Sequence, residues 1–266
     1  MNDLEKLCSQ VISVAKEAGV FIAAEVARFD RSMVEVKGVN NFVSFVDKQA
    51  EKLIIDRLSV LLPEAGFITE EETRVDKADK YNWVIDPLDG TTNFIHGLPP
   101  YSVSIGLMDN NEVILGVIYE VTLKECFYSW KGAPSYLDGK VIHVSATQQT
   151  KDALVATGFP YYNFSLLESA LKMLGHLFVH SHGVRRIGSA AADMAYLACG
   201  RFDVFYEYGL QPWDVAAADI IVRNAGGTIT DYSGGSDYIF GKRIVVTNGP
   251  IHEEFLEIIR RFFDLK

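Results

Sequence analysis

Two aspartates stand three residues apart in "WVIDPLDGTTNFIHG", Trp83 to Gly97, between an apolar run and a cluster of glycine and threonines. "WVID" reads as a strand that ends at Asp86, because Pro87 cannot donate to a central ladder. Asp86 and Asp89 then flank a strand-end turn, where their carboxylates can converge. Two like charges about 4 Å apart repel by roughly 4 kcal/mol at an effective dielectric near 20, so a divalent cation between them relieves a real cost. The competing reading is a solvated turn in which aspartate caps its own backbone.

More acids occur elsewhere. Glu70, Glu71 and Glu72 close another apparent strand, "FITEEE", and Asp214 in "QPWDVAA" opens a helix of small and apolar residues. Taken singly, a glutamate run is a solvated face and an aspartate at a helix start is an N-cap. Taken together they form an oxygen-rich set without sulfur or histidine, which suits a hard cation, Mg²⁺ in particular, with positions left for water and a substrate phosphate. Gly90-Thr91-Thr92-Asn93 follows the acids. Glycine permits close backbone approach, and the free N–H groups of a turn or helix start can hold a phosphate. A cation site beside a phosphate cradle points to phosphoryl hydrolysis; no GxxxxGK[ST] loop occurs.

"DPLDGTTNF" and "WDVAAADIIVRNAGG", more than a hundred residues apart and preceded by an I-x-E-E segment, resemble the inositol monophosphatase family of Mg²⁺-dependent, lithium-sensitive phosphatases. The resemblance spans nearly the whole chain. It implies the layered αβαβα sugar-phosphatase fold, fructose-1,6-bisphosphatase/inositol monophosphatase-like, and a homodimer. Position by position, it implies that Glu70, Asp86 and the Leu88 carbonyl hold one metal, that Asp86, Asp89 and Asp214 hold a second, and that a third, weaker Mg²⁺ lies near Glu70. It makes Glu70 and Thr91 the residues that orient the attacking water, and it lets the Gly90 and Thr91 amides hold phosphate. The same resemblance makes Asp47 catalytic, and Asp47 and Lys37 match outer positions of the site. Asp89 and Glu207 would bond the substrate's ring hydroxyls, with further donors from the amides around Ser189 and Ala190. Hydrolysis is then in line and proceeds without a phosphoenzyme.

The resemblance implies an inositol monophosphate substrate of the myo-inositol 1-phosphate type. "DGTTNF", rather than the "DGTKEF"-like form of the nucleotide phosphatases, and "GLQPWD" favour it. Relatives that hydrolyse 3'-phosphoadenosine 5'-phosphate, fructose 1,6-bisphosphate or histidinol phosphate are the alternatives. A haloacid-dehalogenase mechanism needs DxD where this chain has DxxD, and a regulatory binding protein that retains the fold is the reading from another class. One position departs from the family pattern. Thr69 stands where I-G-E-E has glycine, and a side chain there is expected to restrict the Glu70 loop and tune metal affinity.

Helices and strands must bring these residues together. Leu4, Leu7, Cys8, Val11, Ile12, Ala15, Ala18 and Ile22 recur at three and four residues and predict a long first helix, and Val46 to Leu58 predict a second that stops near Pro63. Residues 66–145 hold short apolar runs between turn signals, including "YSVSIGLM", "EVILGVIY", "ECFYSW" and "KVIHVS", as expected for a sheet with antiparallel neighbours and a hairpin at Asp109 to Glu112. Beyond residue 146, strand and helix alternate: "DALVATG", a helix from Phe164 to Val179, "SAADMAYLACG", "RFDVFYE", "WDVAAADIIVRNAGG", "TITD", "RIVVTNG" and a last helix. This predicts an α/β half with mainly parallel pairing. An α+β half, 1–145, with Glu70 and the "DPLDGTTN" loop, thus meets an α/β half, 146–266, with Glu207 and Asp214, and the site is expected where they meet.

Bulk properties narrow the partners. The 266 residues are 48% hydrophobic with a net charge of −10, which offers no electrostatic footprint for nucleic acid or anionic membrane. A small phosphorylated polyol or sugar is the expected partner. Cys8, Cys126 and Cys199 are too scattered for a disulfide framework, no run approaches roughly 18 apolar residues, and the N-terminus lacks a signal-peptide pattern, so the cytoplasm is expected. His176 and His180, spaced i, i+4 with His182 nearby, lack the glutamate of HExxH and read as a helix end. His96 reads as structural, "DYSGGSDY" as a surface loop, and Asp193 as a helix-packing or capping group.

Overall fold

The computed structural model describes residues 2–26, 28, 35–38, 41–43, 45–74, 76–159 and 164–263. The chain opens with α1 (Asn2–Val26), the short strands β1 (Glu35–Gly38) and β2 (Asn41–Val43), and α2 (Phe45–Leu61). It then lays down β3 (Gly66–Thr69), β4 (Tyr81–Asp89), the short α3 (Thr91–His96), β5 (Ser102–Asp109), β6 (Glu112–Glu120), β7 (Glu125–Trp130), β8 (Tyr136–Leu137) and β9 (Lys140–Val141). These seven strands form one sheet in sequence order, antiparallel except for the β3–β4 pair.

The second part runs through β10 (Leu154–Thr157), α4 (Leu167–His180), β11 (Gly183–Arg185), α5 (Ala190–Ala198), β12 (Val204–Tyr208), α6 (Pro212–Asn224), β13 (Thr228–Thr230), β14 (Arg243–Thr247) and α7 (His252–Phe263). Its five strands are ordered β11-β10-β12-β14-β13. The expectation of mainly parallel pairing needs correction. β10 is parallel to β11 and β12, but β14 is antiparallel to both β12 and β13. No helix lies between β13 and β14, and a return without a crossover element pairs antiparallel. "KVIHVS" is likewise only briefly a strand. After Val141 the chain crosses over, and Val144 donates its N–H to the Ala225 carbonyl at the end of α6.

Three apolar cores separate five layers. α1 and α2 cover one face of the large sheet through Val11, Ala15, Ala18, Ile54 and Leu58 against Trp83, Ile85, Ile105 and Val117. The opposite face packs through Val84, Ile118 and Phe127 on α5 and α6. Those helices are buried almost all round, from Ala190 to Ala198 and from Val215 to Val222, with Asp193 and Asp219 the only charged residues in those stretches, as a layer enclosed on both sides requires. The five-stranded sheet covers them, and α4 and α7 close its outer face through Met173, Leu177, Phe255 and Ile259. The order is αβαβα. By length and hydropathy α1 could cross a membrane, yet its stripe Cys8, Val11, Ala15, Ala18 and Ile22 is buried against the sheet.

Two glycines decide how close α6 comes to the sheet. Gly106 and Gly116 are cross-strand partners on β5 and β6. A Cβ on Gly116 would lie 2.1 Å from the Ala217 carbonyl oxygen, and one on Gly106 would lie 3.1 Å from the Ala217 nitrogen. The helix therefore rests on bare backbone, and Ser104 reaches the Trp213 carbonyl at 3.1 Å. Ser104 pairs with Asp86 across the ladder, so this close approach sets the first turn of α6, with Asp214, beside the end of β4.

Candidate active site

β4 does not stop at Asp86, as the proline suggested. It continues to Asp89, and its pairing with β5 shifts between Asp86 and Asp89, so that Asp86 faces Ser104 and Asp89 faces Ser102. A bulge at an irregular register accommodates Pro87, which has no N–H to donate. Asp86 bonds the Leu88 N–H at 2.9 Å across the irregularity. Both aspartates therefore arise from one deformed strand end, and both are buried.

Carboxylate oxygens of Asp86, Asp89 and Asp214 lie within 4.8 Å of one another. Each is held by backbone donors. Asp214 is the third residue of α6 and closes a capping box by accepting from the Gln211 N–H at 2.7 Å. Asp89 accepts from Ser189 Oγ at 2.5 Å and from the Ala191 N–H at 2.7 Å, with the Ala190 amide also turned to it. Ser189 is the N-cap of α5. The structure thus spends the Ser189 and Ala190 donors on Asp89, a carboxylate placed at a helix N-terminus.

Glu70, just beyond β3, joins this cluster. Burial, then Asp214, Glu71 and Asp47, push its carboxyl well above the usual range. Burial and the neighbours Glu70, Asp89 and Asp214 do the same to Asp86. Asp89 is raised chiefly by burial, which its donors only partly offset. Burial and then Asp89 bring Asp214 up to about 7. Buried carboxyls that raise one another in this way favour a bound positive charge among them. A divalent cation would supply it, and the donors are all hard oxygens, so the residues fit Mg²⁺.

The turn after β4 shapes the rest. Gly90 caps α3 with φ 97°, and a Cβ there would stand 3.1 Å from the Pro100 carbonyl and 3.2 Å from that of Gly188, so glycine is needed for both its left-handed backbone and its close neighbours. Thr91 Oγ1 lies 3.0 Å from Asp47 Oδ1 and 3.1 Å from the Leu88 carbonyl. Asp47, buried on the first turn of α2, is thereby tied to the α3 start. Lys37 lies on β1, but its side chain is outside the described residues.

Glu70, Asp86, Asp89, Gly90, Thr91 and Asp214 open on a cleft of about 540 Å³. Glu207, on β12, forms its far wall. Its carboxylate presses on Gly158, where a Cβ would come within 2.0 Å of it, and burial, then Asp214, raise its pKa well above the ordinary value. Asp193 was expected to pack or cap its helix. Instead it lines the cleft, is 1% exposed, and leaves Oδ1 without a hydrogen-bond partner.

Two residues were missed. Arg186 is the one cation among the lining residues and faces Asp89, Asp193 and Glu207, its guanidinium 5.8 Å from the Phe159 ring centre. The Arg185-Arg186 pair before "GSAA" in an acidic chain was the available signal. Glu51, the second, carries no signal in the sequence beyond its place one turn after Asp47.

The four histidines His96, His176, His180 and His182 stay apart from the residues that line the cleft. His176 and His180 stack at 4.2 Å beside Phe262, His182 and His96 are exposed, and among the described residues Asp86, Asp89 and Asp214 are the only such group close enough to share a metal. Thr69 is buried, and its hydroxyl lies 3.3 Å from the Arg74 carbonyl, a closure of the Glu70 loop that glycine cannot make.

Comparison with known proteins agrees with this fold. The model of the inositol monophosphatase family matches residues 3–262. The chain is 38% identical over 250 residues to the Nus factor SuhB of Vibrio cholerae, covering 94% of each chain. It is 34% identical over 256 residues to the inositol-1-monophosphatase of Mesorhizobium japonicum, covering 96% of each. The crystal structure of the extragenic suppressor protein suhB from Bartonella henselae superposes with a TM-score of 0.90 at 35% identity, over 95% of this chain and 98% of that one.

Proposed function

The chain belongs to the inositol monophosphatase family, and we propose that it is a Mg²⁺-dependent, lithium-sensitive phosphatase that hydrolyses a phosphate monoester of inositol, of the myo-inositol 1-phosphate type. The observation that carries this reading is the convergence of Asp86, Asp89 and Asp214 to within 4.8 Å on a cleft that also receives Gly90, Thr91 and Glu207. Glu70, Asp86 and the Leu88 carbonyl would hold one Mg²⁺, Asp86, Asp89 and Asp214 a second, and Glu70 would border a third. Bound Mg²⁺ supplies neutralisation of charge on the phosphoryl and leaving oxygens and eases deprotonation of water.

The chain's own groups do the rest. Thr91 Oγ1, fixed between Asp47 and the Leu88 carbonyl, presents its hydroxyl beside the carboxylates and, with Glu70, orients the water for in-line attack. The Gly90 and Thr91 amides take phosphoryl oxygens. Asp89 and Glu207 accept hydroxyls of the alcohol being released. Ser189 and Ala190 contribute by aiming Asp89, which they already grip.

Phosphate release should appear with inositol 1-phosphate and Mg²⁺, exceed that from 3'-phosphoadenosine 5'-phosphate, fructose 1,6-bisphosphate and histidinol phosphate, and fall when Li⁺ is added. No turnover on any of the four would reject the enzyme assignment. The Nus factor name borne by relatives supports a second, regulatory role exercised through a partner, which metal-cluster variants would leave in place. The same reading keeps the protein in the cytoplasm, with its three cysteines unpaired.

We also assign the protein as a homodimer. Leu167, Leu171 and Phe178 repeat at helical spacing along the outer side of α4 and are 41%, 58% and 65% exposed, a stripe that a second copy would cover. Sedimentation should give the mass of two chains, and Leu171→Asp should shift it toward one.

A further inference from the structure

The loop that carries Glu70 leaves the edge of the large sheet, since β3 is the first strand in its order. Residues 70–74 have no strand or helix to hold them, and Glu72 sits in the left-handed region at φ 53°, a conformation that a non-glycine residue keeps only when its surroundings enforce it. The enforcing group is Glu51. Its side chain is 0% exposed, Oε2 accepts from the Glu71 N–H at 2.8 Å, and Oε1 accepts from the Thr73 N–H at 2.8 Å. The two bonds bracket the left-handed residue.

Glu51 lies one turn beyond Asp47 on α2, so both carboxylates fall on one face of that helix. Asp47 reaches Thr91 at 3.0 Å. One helix therefore grips both loops of the site, the one that starts α3 and the one that carries Glu70. A carboxylate taken wholly out of water is costly for stability alone, but two amides aimed at its two oxygens give charge-assisted bonds that fix a loop's shape.

We propose that Glu51 is a positioning residue that holds the Glu70 loop in its Mg²⁺-binding shape. This rests on Glu70 being a metal ligand. The Thr69 hydroxyl near the Arg74 carbonyl closes the same loop from its other side.

Glutamine at position 51 keeps one acceptor and turns an NH₂ toward an N–H, so Glu51→Gln tests the clasp with little change of volume. Calorimetric titration with Mg²⁺ should show binding weakened about 10- to 100-fold, the range typical for groups that orient metal ligands. The Mg²⁺ concentration for half-maximal phosphate release should rise by a similar factor, and kcat should largely recover at saturating Mg²⁺. Mg²⁺ binding as tight as that of the unsubstituted protein would overturn the inference. If the unsubstituted protein itself bound no Mg²⁺, the failure would lie in the reading of Glu70. Amide exchange in the metal-free, unsubstituted protein decides the matter even if the variant does not fold. Protected Glu71 and Thr73 amides are expected, and exchange at open-chain rates would overturn the proposal.

Discussion

Asp89→Asn is expected to lower kcat by at least about a hundredfold, with the protein still folded. Asparagine can keep an oxygen toward Ser189 and the Ala191 N–H, the donors that now meet Oδ2 at 2.5 and 2.7 Å, so the helix start of α5 stays satisfied. Its NH₂ must then face Asp86 and Asp214, where the present structure gathers three carboxylate oxygens within 4.8 Å. One negative charge is lost, and a donor points at the place where a cation would sit. Electrostatic groups of this kind commonly account for about 10²–10³ in rate. Phosphate release at saturating Mg²⁺, read beside the melting temperature, checks it, and near-normal kcat in a folded variant would mean that the second metal site is misplaced.

A second large effect concerns pH and Mg²⁺ together. Glu70 and Asp86 are pushed well above the carboxylate range, and Asp214 rises from 3.8 to about 7, in each case with burial as the first cause. Between those values the folded protein holds more protons than the unfolded chain, so stability falls as pH rises. In EDTA the melting temperature should therefore drop by roughly 4–8 °C from pH 5 to pH 8 for a penalty of about 2 kcal/mol. Added Mg²⁺ should restore most of the loss at pH 8 and little at pH 5, where protons occupy the cluster. A melting temperature that responded equally to Mg²⁺ at both values, or not at all, would count against a cation among these carboxylates.

Much of the fold was legible because burial imposes periodicity. The α1 stripe, α2 ending before Pro63 and the hairpin at Asp109 to Glu112 all stand where apolar spacing and turn residues put them. The direction of β14 was not legible, since an apolar five-residue run reads the same in either orientation and its neighbours are chosen by the connection. The β4 bulge was hidden for a related reason. Proline argues against regular pairing, and only the partner strand shows that pairing resumes at Asp89.

The candidate site divides along the same line. By itself, the sequence determined the chemistry on offer: Asp86, Asp89, Asp214 and Glu70 as hard oxygen donors, Gly90 as the residue able to take a left-handed turn, and a net charge of −10. Those follow from residue type and local spacing, which are properties of the chain before it folds. Only the tertiary structure decided which groups meet. Gly106 and Gly116 bring Asp214 down onto β4, Ser189 and the start of α5 are committed to Asp89, Asp193 turns into the cleft, Arg186 faces three acids, and Glu51 reaches across to the Glu70 loop. Each of these depends on helix-to-sheet distance and on which face of a helix is covered, quantities set by the packing of layers far apart in the chain.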